Sequence, residues 1–323
     1  MKKMLLAIAV VVLTLSLAAC TAETDDTNVS IGVLQLMHHT SLDEIREAFL
    51  DEMRSLGYED DQFEIMVGAG GADMPTMAQT LVGLNVDVIM AITTPGAQSA
   101  YTQVSAAGVD IPVVFSAVSN PVNAGLVDRL DLTDNNITGI SDALDVEAVF
   151  ALTRQLTPEA RTFGLVYSFE PNAVSIMDEI KAYINATPGF SYLEATAIST
   201  ADVQDAALSL VGQVDAFMTA TDNTVAAAMA VFAQVAIDAG IPIYTGADSM
   251  VRDGGFATAG IDYTILGAET ARLVNQVIEG TPVSELPVVV MYEVQPPTPI
   301  VNADTATALG IDISDFVGII YGG

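Results

Sequence analysis

Two adjacent histidines, His38 and His39, and several carboxylates that follow apolar runs are the side chains best placed for chemistry. Imidazole and carboxylate can ligate a metal, move protons or hydrogen-bond a small ligand. Two histidines without a neighbouring cysteine make a poor transition-metal set, and Asp43 reads as the opening of a helix rather than a further ligand. No metal and no cofactor are expected. Nucleophilic chemistry has no motif either: there is no GxSxG elbow, no HExxH and no glycine–lysine phosphate loop. Asp73 stands where the glycine-rich stretch Gly68-Ala69-Gly70-Gly71 would need its last glycine to bind a dinucleotide. Missing motifs do not exclude catalysis, but none of them proposes a nucleophile.

The recognition residues fall in short loops. The first loop, 35–41, holds Gln35, Met37, His38 and His39; His39 offers a ring face and a hydrogen-bonding nitrogen together. The second holds Thr93, Thr94 and Gln98, with Thr94 read as a helix cap and Pro95 as the first helical residue. A helix start presents free N–H groups and a positive dipole end, which suit a carboxylate. The third begins at Ser116, where small hydroxyl residues allow close approach. Later in the chain come Phe169, Glu170 and Asn172, then Asp222 and Asn223, then Asp248, and Asp262 beside an expected hinge. Asp222 or Asp248 is suited to a ligand ammonium; Asp222 is equally suited to capping a helix.

The elements that must carry these loops alternate. β-Branched runs at 29–35, 63–68, 86–93 and 111–118 are separated by helix-period segments at 42–56, 74–84 and 95–107. Continuous apolar strands divided by helices indicate parallel sheets covered on both faces. The pattern then returns about 130 residues later: IGVLQ at 31 as FGLVY at 163, VDVIM at 86 as VDAFM at 214, and IPVVF at 111 as IPIYT at 241. Three matches in one order argue for an α/β chain of two similar Rossmann-like lobes. Helices at 173–186, 203–211 and 224–239 fit the second copy. Residues 135–142 read as a crossing between lobes, 256–261 as a strand, 264–279 as a helix, 288–294 as a strand and 303–309 as a final helix. These late elements are too many for the second lobe alone, so a hinge crossed more than once is expected. Ligands in such sheets bind beyond the carboxyl ends of the strands, where these loops lie.

The amino terminus has its own chemistry. Lys2 and Lys3 precede an apolar run at 4–15, then Ser16-Leu17-Ala18-Ala19-Cys20. Basic start, short apolar core and small residues before a cut make a signal peptide, and the run is short for a membrane span. Leu-Ala-Ala-Cys resembles a lipobox, so residues 1–19 are expected to be removed and Cys20 lipidated. Cys20 is the only cysteine, which excludes intramolecular disulfides. Residues 20–28 read as an acidic tether. The charge is extreme, with 10 Lys and Arg against 41 Asp and Glu and a formal net charge of −31. Such a chain repels nucleic acid, whose binding relies on basic contacts to phosphate. The acidity fits either a saline habitat or plain solubility.

Taken together, these stretches resemble the ABC-transporter substrate-binding proteins of the tryptophan/tyrosine type. The resemblance is carried by 31–35 with His39 and Leu42-Asp43, by Val86-Asp87 leading to Thr94-Pro95-Gly96-Ala97-Gln98, and by 111–118 with Asn120-Pro121. It continues through Ala124-Gly125-Leu126-Val127, Asn136-Ile137-Thr138-Gly139, Thr221-Asp222-Asn223-Thr224-Val225, Gly260-Ile261-Asp262-Tyr263 and Leu266-Gly267. The chain departs from the family pattern at His38, where an acidic residue is expected. The resemblance implies the type 1 periplasmic-binding-protein architecture and a lipid-anchored, exported receptor, monomeric and non-enzymatic. Such a receptor hands a small solute, expected to be an amino acid of the aromatic class, to an ABC permease. The lobes are expected at 29–140 with a return of about 263–288, and at 141–262 with a return of about 289–323. For an amino acid, the carboxylate is assigned to the helix start at 94–98 and Ser116, and the ammonium to Asp222, with Asp248 or Asp262 as alternates. Met37, His39 and Phe169 are assigned to the side-chain pocket. A signalling receptor, a receptor for another solute such as a sugar or nucleoside, and an exported enzyme using cleft carboxylates stay open as alternatives.

Overall fold

A computed structural model describes residues 29–132 and 135–323. The signal-peptide, lipidation and tether expectations therefore lie outside the described residues.

The apolar run Ile31–Gln35 forms β1, buried along its whole length. It is followed by α1 (Thr40–Ser55), β2 (Phe63–Val67), α2 (Met74–Leu84), β3 (Val88–Ile92), α3 (Thr94–Ala107), β4 (Val113–Ser116) and β5 (Ile137–Ser141). Helix α1 shows why this alternation folds as it does. Leu42, Ile45, Phe49, Leu50 and Met53 recur at helical spacing and are buried, while acidic Asp43 sits in the first turn and Arg54 in the last, as the helix dipole favours. The chain then builds α4 (Val146–Leu156), β6 (Thr162–Ser168), α5 (Pro171–Ala186), β7 (Ser191–Ala197), α6 (Val203–Leu210) and β8 (Ala216–Met218). Short elements follow: α7 (Asn223–Ala226), α8 (Met229–Ala239), β9 (Ile243–Tyr244), α9 (Asp248–Arg252) and β10 (Ala257–Thr258). The last are α10 (Tyr263–Ile278), β11 (Val289–Val290), α11 (Met291–Val294), β12 (Ile300–Asn302), α12 (Ala303–Leu309) and β13 (Ile319–Tyr321).

Two sheets result. The first has the order β11-β5-β4-β3-β1-β2 and the second β13-β12-β10-β9-β8-β6-β7. Read from β2 and from β7, five strands of each sheet follow the same order, which is the internal repeat seen as structure. All pairs in the first sheet are parallel. In the second, β12 runs antiparallel to β10. The cause is the route of the chain: it leaves β11 at the carboxyl edge of the first sheet and so enters the second sheet from the hinge side.

The crossings differ in detail from the sequence expectation. Residues 137–141 are a strand of the first sheet, and the chain crosses after Ser141. Helix α10 packs on α1, β4 and β5, which brings it back to the first sheet. Val289–Val290 pair with β5, so the chain leaves the first sheet for the last time after residue 290. The expected strand at 288–294 is only two residues long, because Met291–Val294 turns helical. Among the described residues no helix is long and apolar enough to cross a membrane.

Candidate functional site

A narrow cleft lies where the carboxyl ends of the two sheets meet. The first lobe lines it with His39, Ser41 and Leu42 from the start of α1, Thr93 after β3, and Ala117 after β4. The second lobe adds Asn172, Thr221, Asp222, Asn223, Ala226, Ala247 and Met250. Two residues come from the crossings, Asp142 after β5 and Tyr263 at the start of α10.

Local backbone geometry shapes the first-lobe wall. Thr93 (φ 84°) and Ala117 (φ 55°) are two of three non-glycine residues with positive φ among the described residues. The third, Asn85, is an ordinary left-handed helix cap. Left-handed backbone costs roughly 1–2 kcal/mol for a residue bearing a Cβ. Strain of that kind gathers at ligand sites, and here both strained positions line the cavity. Thr93, not Thr94, caps α3, its side chain accepting from the Gly96 N–H at 3.4 Å. In the second lobe, Gly246 allows the β9 loop to lie against the β8 loop: a Cβ there would fall 2.6 Å from the Thr221 nitrogen.

The cavity is lined by two carboxylates and by no arginine or lysine among the described residues. Asp222 is 1% exposed. It caps α7 by accepting from the Val225 N–H and also accepts from the Ser168 N–H and hydroxyl. Burial, reinforced by nearby Glu170, pushes its carboxyl up to about 6. Asp142 accepts from the Ser119 hydroxyl at 2.8 Å and the Tyr263 hydroxyl at 2.9 Å. Its carboxyl is also raised, by burial. His39 Nε2 lies 3.2 Å from Asn223 Oδ1, while buried Nδ1 has no partner. Burial lowers the His39 imidazole, which favours the neutral ring. Asn172 donates to the Thr221 carbonyl and leaves a buried, unpartnered Oδ1. These are a few polar groups aimed into a partly apolar space, the usual composition of a small-molecule site.

The structure thus brings His39, Thr93, Asn172, Asp222 and Asn223 of the expected residues to one cavity. Thr94 lines an adjoining chamber with Asn120, Asn123 and Asn172, its buried hydroxyl unpartnered. Glu170 stands behind Asn223, accepting from its amide and from the Thr224 N–H and hydroxyl. Others are elsewhere. Gln35 is fully buried and braces the first loop through the Met37 carbonyl, Asp43 and Arg46. Met37 packs on the first core. Gln98 donates to the Ala124 carbonyl and Ser116 bonds Thr270, so neither reaches the cavity. Phe169 is 65% exposed and lies on an outer groove. Asp262 caps α10 through the Thr264 and Ile265 N–H groups. Asp248 pairs with Arg252 at 3.0 Å behind the cavity wall, and its carboxyl is pushed up to about 6 by burial. Asp142, Tyr263, Ser41, Leu42 and Met250 were not anticipated.

The lobes touch across this cleft. Thr40 donates to Asp253 at 2.8 Å, Ser41 bonds Ser249, Ser119 bonds Thr221, and Arg252 bridges to Glu44. Two like lobes in contact across a polar-lined cleft define a two-lobed ligand-capture protein. The chain belongs to the ABC transporter substrate binding protein family, whose model matches residues 30–320.

Its relatives agree. A protein named Tyrosine-binding protein, from Clostridioides difficile (strain R20291), is 34% identical over 285 residues, covering 87% of this chain and 80% of that protein. A Streptococcus pneumonia ABC domain solved in complex with L-Trp superposes with a TM-score of 0.82 at 31% identity, covering 91% of this chain and all of that one. A ligand-free, open substrate-binding protein from Clostridium difficile reaches 0.68 at 30% identity, covering 91% of this chain and 99% of its own.

Proposed function

We propose that this substrate-binding protein captures an amino acid, an aromatic one, in the inter-lobe cavity and delivers it to an ABC permease. The observation that carries the reading is the polar division of the cleft. Buried Asp222 and Asp142 offer negative charge to an ammonium, while the start of α3, with Thr93 and the unpartnered Thr94 hydroxyl, offers donors to a carboxylate. Leu42, Ala117, Ala226, Met250 and the His39 and Tyr263 rings leave apolar surface for a side chain. The relatives named for tyrosine and solved with L-Trp support the ligand class. The protein acts outside the cytoplasm, held by lipid at Cys20, as a monomer and without turnover of its ligand.

Thermal shift with a panel of amino acids, sugars and nucleosides tests this. A ligand at 100 times its Kd stabilises the native state by about 2.7 kcal/mol. L-Tyrosine or L-tryptophan is expected to raise the melting temperature most. A rise with a sugar or nucleoside and none with any amino acid overturns the ligand class.

A further inference from the structure

His39 stands at the N-cap of α1 and lines the cleft, yet its side chain makes no cap bond. What it bonds instead fixes its chemistry. The contacts begin at Glu170. One oxygen of that carboxylate accepts from the Thr224 N–H and hydroxyl, and the other accepts from Asn223 Nδ2. A carboxylate draws the donor end of an amide toward itself, so Asn223 turns its oxygen to His39. Asn223 Oδ1 can only accept, and it lies 3.2 Å from His39 Nε2. The imidazole proton therefore sits on Nε2. Burial is the largest influence on this ring and lowers its pKa, against the opposing effects of Asn223, Asp43 and Asp253.

A neutral ring protonated at Nε2 has a bare lone pair at Nδ1. That nitrogen is buried, and no described residue supplies a donor to it. A buried acceptor left in that state is costly, so a donor from an occupant of the cleft would be rewarded. The surroundings decide what kind of donor fits. Leu42, one turn further along α1, lines the same cleft, as do Met250 and Tyr263. The carboxylates Asp222 and Asp142 stand on other elements and attract an ammonium more strongly than a neutral nitrogen does. A neutral acceptor beside apolar side chains suits a neutral donor carried on a ring.

We propose that His39 is a specificity-determining residue: its Nδ1 accepts from the phenol O–H of tyrosine or the indole N–H of tryptophan, and so selects against phenylalanine. Asn223 and Glu170 are positioning residues that hold the tautomer in which Nδ1 is an acceptor. The inference rests on the amino-acid reading above and narrows it, from any aromatic ring to a ring that bears a donor. Phenylalanine offers the same ring as tyrosine but leaves Nδ1 without a partner. A site built to bond a ligand hydroxyl rejects the analogue lacking it for that reason.

Calorimetry with L-tyrosine, L-tryptophan and L-phenylalanine tests this first on the wild-type protein. Tyrosine and tryptophan are expected to bind roughly 10- to 100-fold more tightly than phenylalanine. His39→Phe removes the acceptor and keeps a ring, and the ratio of tyrosine to phenylalanine affinity is expected to fall toward one. His39→Gln supplies an amide donor and a carbonyl acceptor, and part of the ratio is expected to return. Asn223→Ala releases the tautomer and is expected to lower the same ratio by a smaller factor; an unchanged ratio overturns its positioning role. Wild-type protein that binds tyrosine and phenylalanine alike overturns the role of His39, and this arm needs no variant to fold. A His39→Phe variant that weakens all three ligands by one factor also overturns it, because His39 would then serve the end that all amino acids share. Wild-type protein that binds a sugar or nucleoside and no amino acid overturns the ligand reading itself, a result distinct from either.

Discussion

The two lobes share a strand order but not a chemistry. The first presents strained backbone and neutral groups to the cleft: Thr93 and Ala117 with positive φ, Ser41, and the start of α3. The second presents charge and amides: Asp222, Asn223 and Asn172, with Glu170 and Asp248 behind them. Their regular parts differ too, since β1 and β3 have five buried residues each while β9 and β10 have two. Topology was duplicated and the loops diverged. In this account the first lobe shapes the site and the second supplies the charge that discriminates its occupant.

The division of labour can be broken from the charged side first. Asp222→Ala removes a cavity carboxylate and the cap of α7 together. It is expected to weaken amino-acid binding by about 2–5 kcal/mol and to lower the melting temperature through loss of the cap, typically ~1 kcal/mol. Calorimetry and thermal unfolding measure both, and intact affinity would remove Asp222 from the site.

Arg252 offers the next largest effect. It bridges Glu44 of the first lobe to buried Asp248 and lies over the Tyr321 ring at 5.5 Å. Arg252→Ala is expected to open the ligand-free protein, read as a larger radius of gyration, and to speed ligand release in stopped-flow. An unchanged radius would mean the clamp is incidental.

A pH series separates the lobes without mutation. The Asp222 carboxyl stands at about 6 in the empty cavity, and a ligand ammonium favours its ionised form. Affinity should therefore be full above pH 6 and decline as pH falls below it. Stability of the ligand-free protein has the opposite trend from this group. Its folded-state value is raised above the ordinary 3.8, so its contribution is fully present below pH 3.8 and is lost as pH rises through about 6. Asp248, also at about 6, adds in the same direction. Affinity flat from pH 5 to 7 would contradict an ionised Asp222 as ammonium partner.

The smallest effect tests the shaping lobe. Ala117→Gly relieves a left-handed alanine, and the gain is partly offset by the greater entropy of the unfolded glycine. A net stabilisation of roughly 0.5–1 kcal/mol is expected, with affinity weakened because the wall is less fixed. A destabilised variant would show that Ala117 is not strained.

Much of this was legible before any coordinates. Apolar runs with a constant repeat revealed the two sheets, because a parallel strand buried on both faces must be continuously apolar. The loops at strand ends then followed, and with them His39, Thr93, Asn172, Asp222 and Asn223. What was illegible depends on tertiary routing. Asp142 has no local signature beyond being an acid directly after the run Ile137–Ser141, and that run was read as a crossing, not a strand. Tyr263 opens a helix whose return to the first sheet decides what its hydroxyl meets. Ser116 and Gln98 misled for the converse reason: they lie in the right loops, but Thr270 and the Ala124 carbonyl claim their polar atoms.

The central claim is that the shut cleft holds an aromatic amino acid and leaves it unchanged. Mass spectrometry of the solute released on denaturing freshly purified, undialysed protein tests it most directly. The account predicts L-tyrosine or L-tryptophan, unmodified and near one equivalent per chain. A sugar, a nucleoside or a chemically altered product at that stoichiometry would contradict it.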